Sequence, residues 1–269
     1  MAMGRTVAER FIVPTGIRAT LFPPLELPLG VHLVRDRHRR GPDNMAIDEA
    51  LLERAEPIVR LYGWEPACVT LGYPQDEDTV DEQALADRGL DLARRPTGGG
   101  SIHHDATEVT YAVVLPTDWD GLPGDLFEDY RYMSRGVLEA LQALGVDASY
   151  RRSQGGRRDF CYLREAGVSI VDGEGRKLSG GAQRRTKDAV LQHGTVIVER
   201  DVELLADVYD ETADAIEAGV GSLASLGVDV DRGRLVDELL AAFERTLAPA
   251  EVTESGPTAL DEGLARPSA

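Results

Sequence analysis

A chain of 269 residues, 42% of them hydrophobic, is long enough to bury a substantial core, and its formal charge of −18 disfavours nucleic acid as a partner. No run approaches the roughly 18 consecutive apolar residues that a membrane span needs, and the N-terminus lacks a charged region leading into an apolar core, so no membrane role and a cytoplasmic location are expected. Two cysteines, Cys68 and Cys161, are too few for a disulfide framework and count only as thiols.

Residues 1–30 carry several prolines without a clear period and read as an irregular extension; the regular fold is expected over 31–248, with a frayed tail over 249–269. Val31 to Val34 reads as a strand. The run Asn44-Met-Ala-Ile-Asp-Glu-Ala-Leu-Leu-Glu-Arg-Ala55 reads as a helix, with Met45, Ile47, Ala50, Leu51 and Leu52 toward the core and Asp43 or Asn44 as its cap. Ile58 to Tyr62 and Cys68 to Leu71 read as strands joined in a hairpin around Gly63-Trp-Glu-Pro66. Thr79 to Asp87 looks helical, Leu90 to Arg95 reads as a strand entering a glycine-rich turn, and Glu108 to Leu115 as the strand after it.

Leu126, Phe127, Tyr130, Met133, Val137, Leu138 and Leu141 recur at helical spacing, and Gly145 stops that helix. Strands follow over Val168 to Val171, Lys177 to Gln183 and Val190 to Val198, then helices over Val202 to Ala218 and Asp231 to Leu247. Helices interspersed among mostly adjacent strands predict an α+β domain with a central mixed or largely antiparallel sheet flanked by helices.

Of 29 basic residues only two are lysines, Lys177 and Lys187. A lysine among arginines suggests a position where the flat guanidinium fails and a compact ammonium is needed; that reading is kept for Lys177, while Lys187 is assigned to a turn. Lys177-Leu-Ser-Gly-Gly-Ala-Gln183 continues into small residues, which suit a strand with a ligand lying flat against it. In Arg94-Arg-Pro-Thr-Gly-Gly-Gly-Ser-Ile-His-His-Asp105, three glycines allow close backbone approach and an inward-pointing row of N–H groups, and the two arginines, Arg94 and Arg95, can reach a phosphate or carboxylate. The segment fits neither the P-loop nor the dinucleotide fingerprint. His193 beside Gly194 is assigned a structural role ahead of acid–base catalysis, and Trp64 a packing role. Cys161 sits among arginines, which favour a thiolate, whereas Cys68 lies in an apolar strand and reads as core. His103-His104-Asp105 lacks a companion cluster at ligand spacing, so no metal is assigned.

Together, Asn44-Met-Ala-Ile-Asp-Glu-Ala50, Arg60-Leu-Tyr-Gly-Trp64, Leu71-Gly-Tyr-Pro-Gln75, the Arg94–Asp105 segment, Lys177–Gln183 and His193-Gly194 resemble the lipoate–protein ligase and octanoyltransferase family over roughly residues 31–200. The acidic, lysine-poor composition also resembles that of proteins from salt-loving archaea. The family resemblance implies a biotin/lipoate protein ligase-like catalytic domain that joins a lipoyl or octanoyl group to a lysine of a carrier domain. That carrier is an apo lipoyl domain of a 2-oxoacid dehydrogenase complex or the glycine cleavage H protein. In the ligase branch ATP, with Mg2+, activates lipoate or octanoate as an acyl-adenylate. Lys177 would contact the acyl carbonyl and phosphate, Arg94 and Gly98, Gly99 and Gly100 would cradle the adenylate, and Asp105 would fix that loop. Arg60, His104, Gly180, Ala182, His193 and Gly194 would complete the substrate site, and a separate accessory subunit could supply the small extra domain that bacterial ligases often carry, since little chain follows the last helices. In the transferase branch an acyl carrier protein supplies the group without ATP and Cys161 holds it as a thioester. The third glycine favours the ligase branch and Cys161 the transferase branch; the ligase stands slightly ahead. A noncatalytic lipoyl-domain or acyl binder on the same fold is the third reading, opposed by the intact Lys177 and glycine loop.

Overall fold

A computed structural model describes residues 30–76, 80, 82–154, 166–209 and 211–247. Seven strands form a mixed sheet: β1 (His32–Arg39), β2 (Ile58–Trp64), β6 (Val109–Pro116), β7 (Ser149–Gln154), β8 (Ala166–Val171), β9 (Lys177–Arg185) and β10 (Ala189–Val196). Their order is β1-β2-β6-β10-β9-β8-β7, parallel only between β1 and β2. A second sheet has three short strands, β3 (Cys68–Leu71), β4 (Asp91–Arg94) and β5 (Ile102–His104), in the order β4-β3-β5.

Side-chain alternation divides the large sheet into two faces. Val59, Leu61, Tyr111, Val113 and Val190 join the core built with α3 (Leu126–Ala143) and α6 (Arg232–Thr246). Those helices pack closely where Gly136 meets Phe243: a Cβ at 136 would stand 2.6 Å from the ring. The opposite face, with Val34, Tyr62, Trp64, Ala112, Val114 and Leu191, packs on α1 (Gly41–Arg54) together with Cys68 and Ala93 of the small sheet. α1 thus lies between the two sheets, and the crevice beside it becomes the site. The shorter helices are α2 (Glu82–Asp87), α4 (Val202–Tyr209) and α5 (Ala213–Gly219), followed by a 3-10 turn over Ala224–Leu226.

Several local expectations change. β2 and β3 do not form a hairpin; β2 pairs with β1 and β6, while β3 crosses into the small sheet. α1 begins earlier, after Arg40 with Pro42 in its first turn, so neither Asp43 nor Asn44 caps it. Instead the Asn44 amide donates to the Gly63 carbonyl at 2.9 Å. Leu126 is exposed although it matches the helical spacing. The helix expected over Val202 to Ala218 is two helices, because Thr212 accepts from the Ala215 N–H and starts a new one. β5 and β7 were not anticipated. Residues 1–29 and 248–269, and with them most of the expected extension and tail, lie outside the described residues.

Candidate active site

The small residues of β9 and β10 make a floor. Ala182 pairs with His193 and Gly180 with Thr195, so these four share the face toward α1. In β9, Ser179 pairs with Ile170 and Lys177 with Val171, which leaves Leu178 as an inserted bulge. The bulge inverts the alternation and returns Lys177 to the face of Gly180. A Cβ on Gly180 would stand 3.4 Å from Lys177 Cδ and 3.9 Å from Nζ. Lys177 therefore lies buried along the floor, whereas Lys187 is 89% exposed in the next turn.

Over this floor hangs the turn from Thr97 to Ser101. Arg95, not Arg94, is its main anchor: Arg95 is buried and its Nη2 donates to the carbonyls of Gly98 (3.0 Å) and Gly100 (2.8 Å), while Nη1 donates to Thr70 O and Oγ1. Because a trans peptide sets C=O and N–H on opposite sides, pinning the Gly98 carbonyl to Arg95 turns the Gly99 N–H away from it. Gly99 has φ +100°, and a Cβ on Gly72 would lie 2.1 Å from the Gly99 carbonyl oxygen, so both positions need glycine. Arg94 braces the neighbouring loop by donating to the carbonyls of Gly72 and Gln75. Nothing lies within 4 Å of a Cβ placed on Gly98, which leaves room for a ligand there.

Arg60 is fully buried behind the site. Its nitrogens donate to Asp36 Oδ2 (2.9 and 2.8 Å), Asp48 Oδ1 (2.8 Å) and Asn44 Oδ1 (2.6 Å), and Arg39 also donates to Asp36. Arg60 is thus a buried counter-ion to two carboxylates rather than a wall of the crevice. Asp48 Oδ2 also receives the Tyr62 hydroxyl (2.8 Å) and faces His193 Nδ1 at 2.9 Å; His193 Nε2 lies 2.6 Å from Thr97 Oγ1. Burial alone would raise the Asp48 carboxyl, but His193, Arg60 and Tyr62 together hold it below the ordinary carboxylate value.

A second histidine stands across the crevice. His104 Nε2 lies 2.9 Å from Thr70 Oγ1 and Nδ1 lies 2.7 Å from Glu108 Oε1, with the imidazole stacked on Trp64 at 4.1 Å between centroids. Burial holds His104 well below its ordinary range and pushes Glu108 up to about 8, with the nearby Asp105 charge adding to the latter. With both ring nitrogens engaged in this way, His104 is a support of the site. Asp105 does not fix the glycine loop: its Oδ1 accepts from the Thr107 and Glu108 N–H groups and holds the turn into β6.

Met45, Tyr62, Trp64, Arg95, Ile102, His104, Thr110, Ala182, His193, Gly194 and Thr195 line a crevice of about 280 Å³, part of it open to solvent. Of the residues expected from sequence, His104, Ala182, His193 and Gly194 stand in its wall, and Lys177 and Gly180 lie along the same floor. Cys161 lies outside the described residues, as do Arg157 and Arg158. Sequence reading missed Asp36, Asp48 and Thr97, and it took Arg95, like Arg94, for a ligand contact where the structure makes it the anchor of the loop. Asp48 carried a signal: it falls on the buried stripe Asn44, Ile47, Asp48, Leu51 of α1, where a solvated carboxylate has no place.

The profile of the lipoyl protein ligase A/B catalytic domain matches residues 40–244. An octanoyltransferase LipM of Kyrpidia tusciae is 38% identical over 237 residues, covering 82% of this chain and 81% of its own length. Another, from Symbiobacterium thermophilum, is 36% identical over 247 residues, with 81% and 88% covered. Among solved structures, the bi-partite lipoate protein ligase of Thermoplasma acidophilum superimposes with a TM-score of 0.71 at 26% identity over 88% of this chain and 91% of its own. A lipoate-protein ligase A bound with ATP gives a TM-score of 0.71 at 27% identity, with 88% and 92% covered. By the match over most of its length and by its likeness to these relatives, the chain belongs to the lipoyl protein ligase A/B catalytic domain family.

Proposed function

We propose that this chain is an octanoyltransferase of protein lipoylation, moving an eight-carbon acyl group from a thioester donor to a lysine amine of a lipoyl-type acceptor domain in the cytoplasm. The observation that carries the reading is the likeness, above 30% identity over about four-fifths of the chain, to proteins named octanoyltransferase LipM. It reverses the order of the two branches expected from sequence. Lys177 over Gly180 supports it, since a compact ammonium on a floor without side chains can reach a carbonyl laid against that floor.

In this reading the Cys161 thiolate attacks the donor thioester, the donor thiol leaves with a proton, and an acyl-Cys161 thioester remains. The acceptor amine then attacks that thioester, the amide forms, and the Cys161 thiol is regenerated. Lys177 stabilises the oxyanion formed in each step. Thr110, Tyr62 and Trp64 line the same crevice, where the acyl chain would lie. The donor is an acyl carrier protein thioester, and the acceptor is a glycine cleavage H protein or a dehydrogenase lipoyl domain.

A second reading, ATP-dependent lipoate ligation, is supported by the three consecutive glycines and by the likeness to the ATP-bound ligase. The open space at Gly98 leaves room for a ligand group such as a phosphate, and the bi-partite neighbour suggests a helper subunit for this branch. The two readings separate in one assay in concentrated potassium chloride, which suits the acidic, halophile-like composition. Apo acceptor domain is mixed with octanoyl carrier protein, or with lipoate and Mg-ATP. Transfer from the carrier that is abolished in Cys161→Ala is expected; full ATP-dependent transfer by Cys161→Ala would replace the transferase reading with the ligase one. Lys177→Arg is expected to lose at least 100-fold in turnover with an unchanged unfolding midpoint, and wild-type turnover would remove Lys177 from the chemistry.

A further inference from the structure

The glycine loop is held at two places by two different parts of the molecule. Arg95 holds the carbonyls of Gly98 and Gly100 from within the small sheet, through Thr70 of β3. At its start the backbone of Thr97 is also tied to the β3–β4 connection, where the Tyr73 N–H donates to the Thr97 carbonyl at 2.8 Å. The Thr97 side chain does something else: it crosses the crevice. Thr97 Oγ1 stands 2.6 Å from Nε2 of His193 on β10, and His193 Nδ1 stands 2.9 Å from Asp48 on α1. All three side chains are buried.

The chemistry of the chain has a direction. Asp48 is an ionised carboxylate held by Arg60 and Tyr62 and offers only lone pairs, so His193 Nδ1 carries a hydrogen toward it. Nε2 closes the chain on the Thr97 hydroxyl at 2.6 Å. A buried hydroxyl left without that partner costs about 1–3 kcal/mol, a factor of roughly 5 to 150 in the opening equilibrium of the loop. Asp48 in turn is held by Arg60, which also holds Asp36, and Arg39 donates to Asp36 from the other side, so the far end of the chain is anchored in a buried cluster of ion pairs.

From this we infer that Asp48, His193 and Thr97 form a latch across the acyl crevice that sets the closed position of the glycine loop, with Thr97 and His193 acting as positioning residues for acyl transfer. The latch joins the large sheet, α1 and the loop, which are three of the walls around the substrate. It touches no reacting atom; it ties the start of the glycine loop to β10, the strand that carries His193 and Thr195 of the floor. An open loop leaves the carbonyl of the acyl group misplaced relative to Lys177, so release of the latch is expected to lower turnover more than substrate binding. This last consequence rests on the acyltransferase reading; the structural part does not.

The test uses the full chain and three variants. Thr97→Val keeps the shape and removes the hydroxyl, Thr97→Ser keeps the hydroxyl, and His193→Gln retains a polar group near the position of Nε2. Amide hydrogen exchange is followed at Gly98 to Ser101, with Val113 to Leu115 of β6 as an internal control, and kcat and KM for octanoyl transfer are measured alongside. Thr97→Val is expected to speed exchange at the loop at least fivefold with the β6 amides unchanged and to lower kcat at least tenfold with KM within threefold. Thr97→Ser is expected to restore both, and His193→Gln to fall between. Loop exchange in Thr97→Val equal to wild type would overturn the latch, even if activity fell. Equal losses in Thr97→Ser and Thr97→Val would overturn it as well, since the hydroxyl would then be irrelevant. Absence of transferase activity in the wild type would remove the functional reading alone, because loop exchange reports the latch without substrate.

Discussion

Two threonine–histidine–carboxylate chains flank the crevice with the same atoms in the same order, and one arginine makes them electrically different. In Thr97–His193–Asp48 and in Thr70–His104–Glu108 the hydroxyl meets Nε2 and the carboxylate meets Nδ1. Asp48 has the Arg60 guanidinium against it and stays ionised. Among the described residues no guanidinium donates to the Glu108 carboxyl, which accepts from Thr110, and burial drives it to bind a proton. A protonated Glu108 donates to Nδ1 of His104, so the hydrogen of that neutral ring sits on Nε2, whereas His193 carries one on Nδ1 toward Asp48. Both chains end on the glycine loop, directly at Thr97 in one and through Thr70 and Arg95 in the other. Geometry alone therefore does not say which histidine sits beside a charge; the count of buried cations does.

The largest effect is expected where that difference originates. Arg60→Met leaves Asp36 and Asp48 buried with one of their cations removed, and breaking a buried pair from one side costs about 3–5 kcal/mol. Urea denaturation is expected to show a loss of that size, and Asp48 is expected to become pH-sensitive, taking up a proton as its relative Glu108 does. A loss below about 1 kcal/mol would mean that Arg39 alone neutralises the cluster and that the two chains differ for another reason. Asp48→Asn removes the anion but leaves Arg60 its contacts with Asp36 and Asn44, so a smaller loss of roughly 2 kcal/mol is expected, together with faster exchange in the glycine loop.

Why one chain was partly legible in the sequence and the other was not follows from range. Helix α1, the core of α3 and the floor from Lys177 to Ala182 rest on local periodicity and small residues, and the structure places them where that pattern points. Lys177 stood out by composition, although the bulge at Leu178 that turns it toward Gly180 has no local signature. The apparent hairpin of β2 and β3 failed because strand alternation says nothing of the partner, and β2 finds its partners in β1 and β6. Of two adjacent arginines expected to reach ligand, Arg95, just past the end of β4, is buried beneath the glycines, and Arg94 lies beside the next loop. The contacts of Asp36, Asp48 and Thr97 with Arg60 and His193 span 12 to 145 residues of sequence, beyond any local periodicity.

The smallest effect, and the sharpest test of the comparison, concerns Glu108. In the folded protein Glu108 holds its proton up to about 8 and burial keeps His104 neutral, so the pair carries one proton over most of the working range. In the unfolded chain Glu108 loses its proton near the ordinary 4.5 and the histidine near 6.5. Between those two values both states bind one proton, and this pair contributes no slope. Above 6.5 the unfolded pair binds none while the folded pair still binds one, so stability falls as pH rises toward about 8, by about 2 kcal/mol in total. Below 4.5 the unfolded pair binds two and stability falls again. Glu108→Gln replaces a protonated carboxyl by a neutral amide that can still donate to His104 Nδ1, and at pH 6 it is expected to cost under about 1 kcal/mol. What it should remove is the decline between pH 6.5 and 8, leaving a flat denaturation midpoint there. Asp48→Asn should leave that decline intact, because its carboxylate is ionised throughout. If the two variants flattened the same part of the curve, the chains would be electrically alike and Arg60 would not be what separates them.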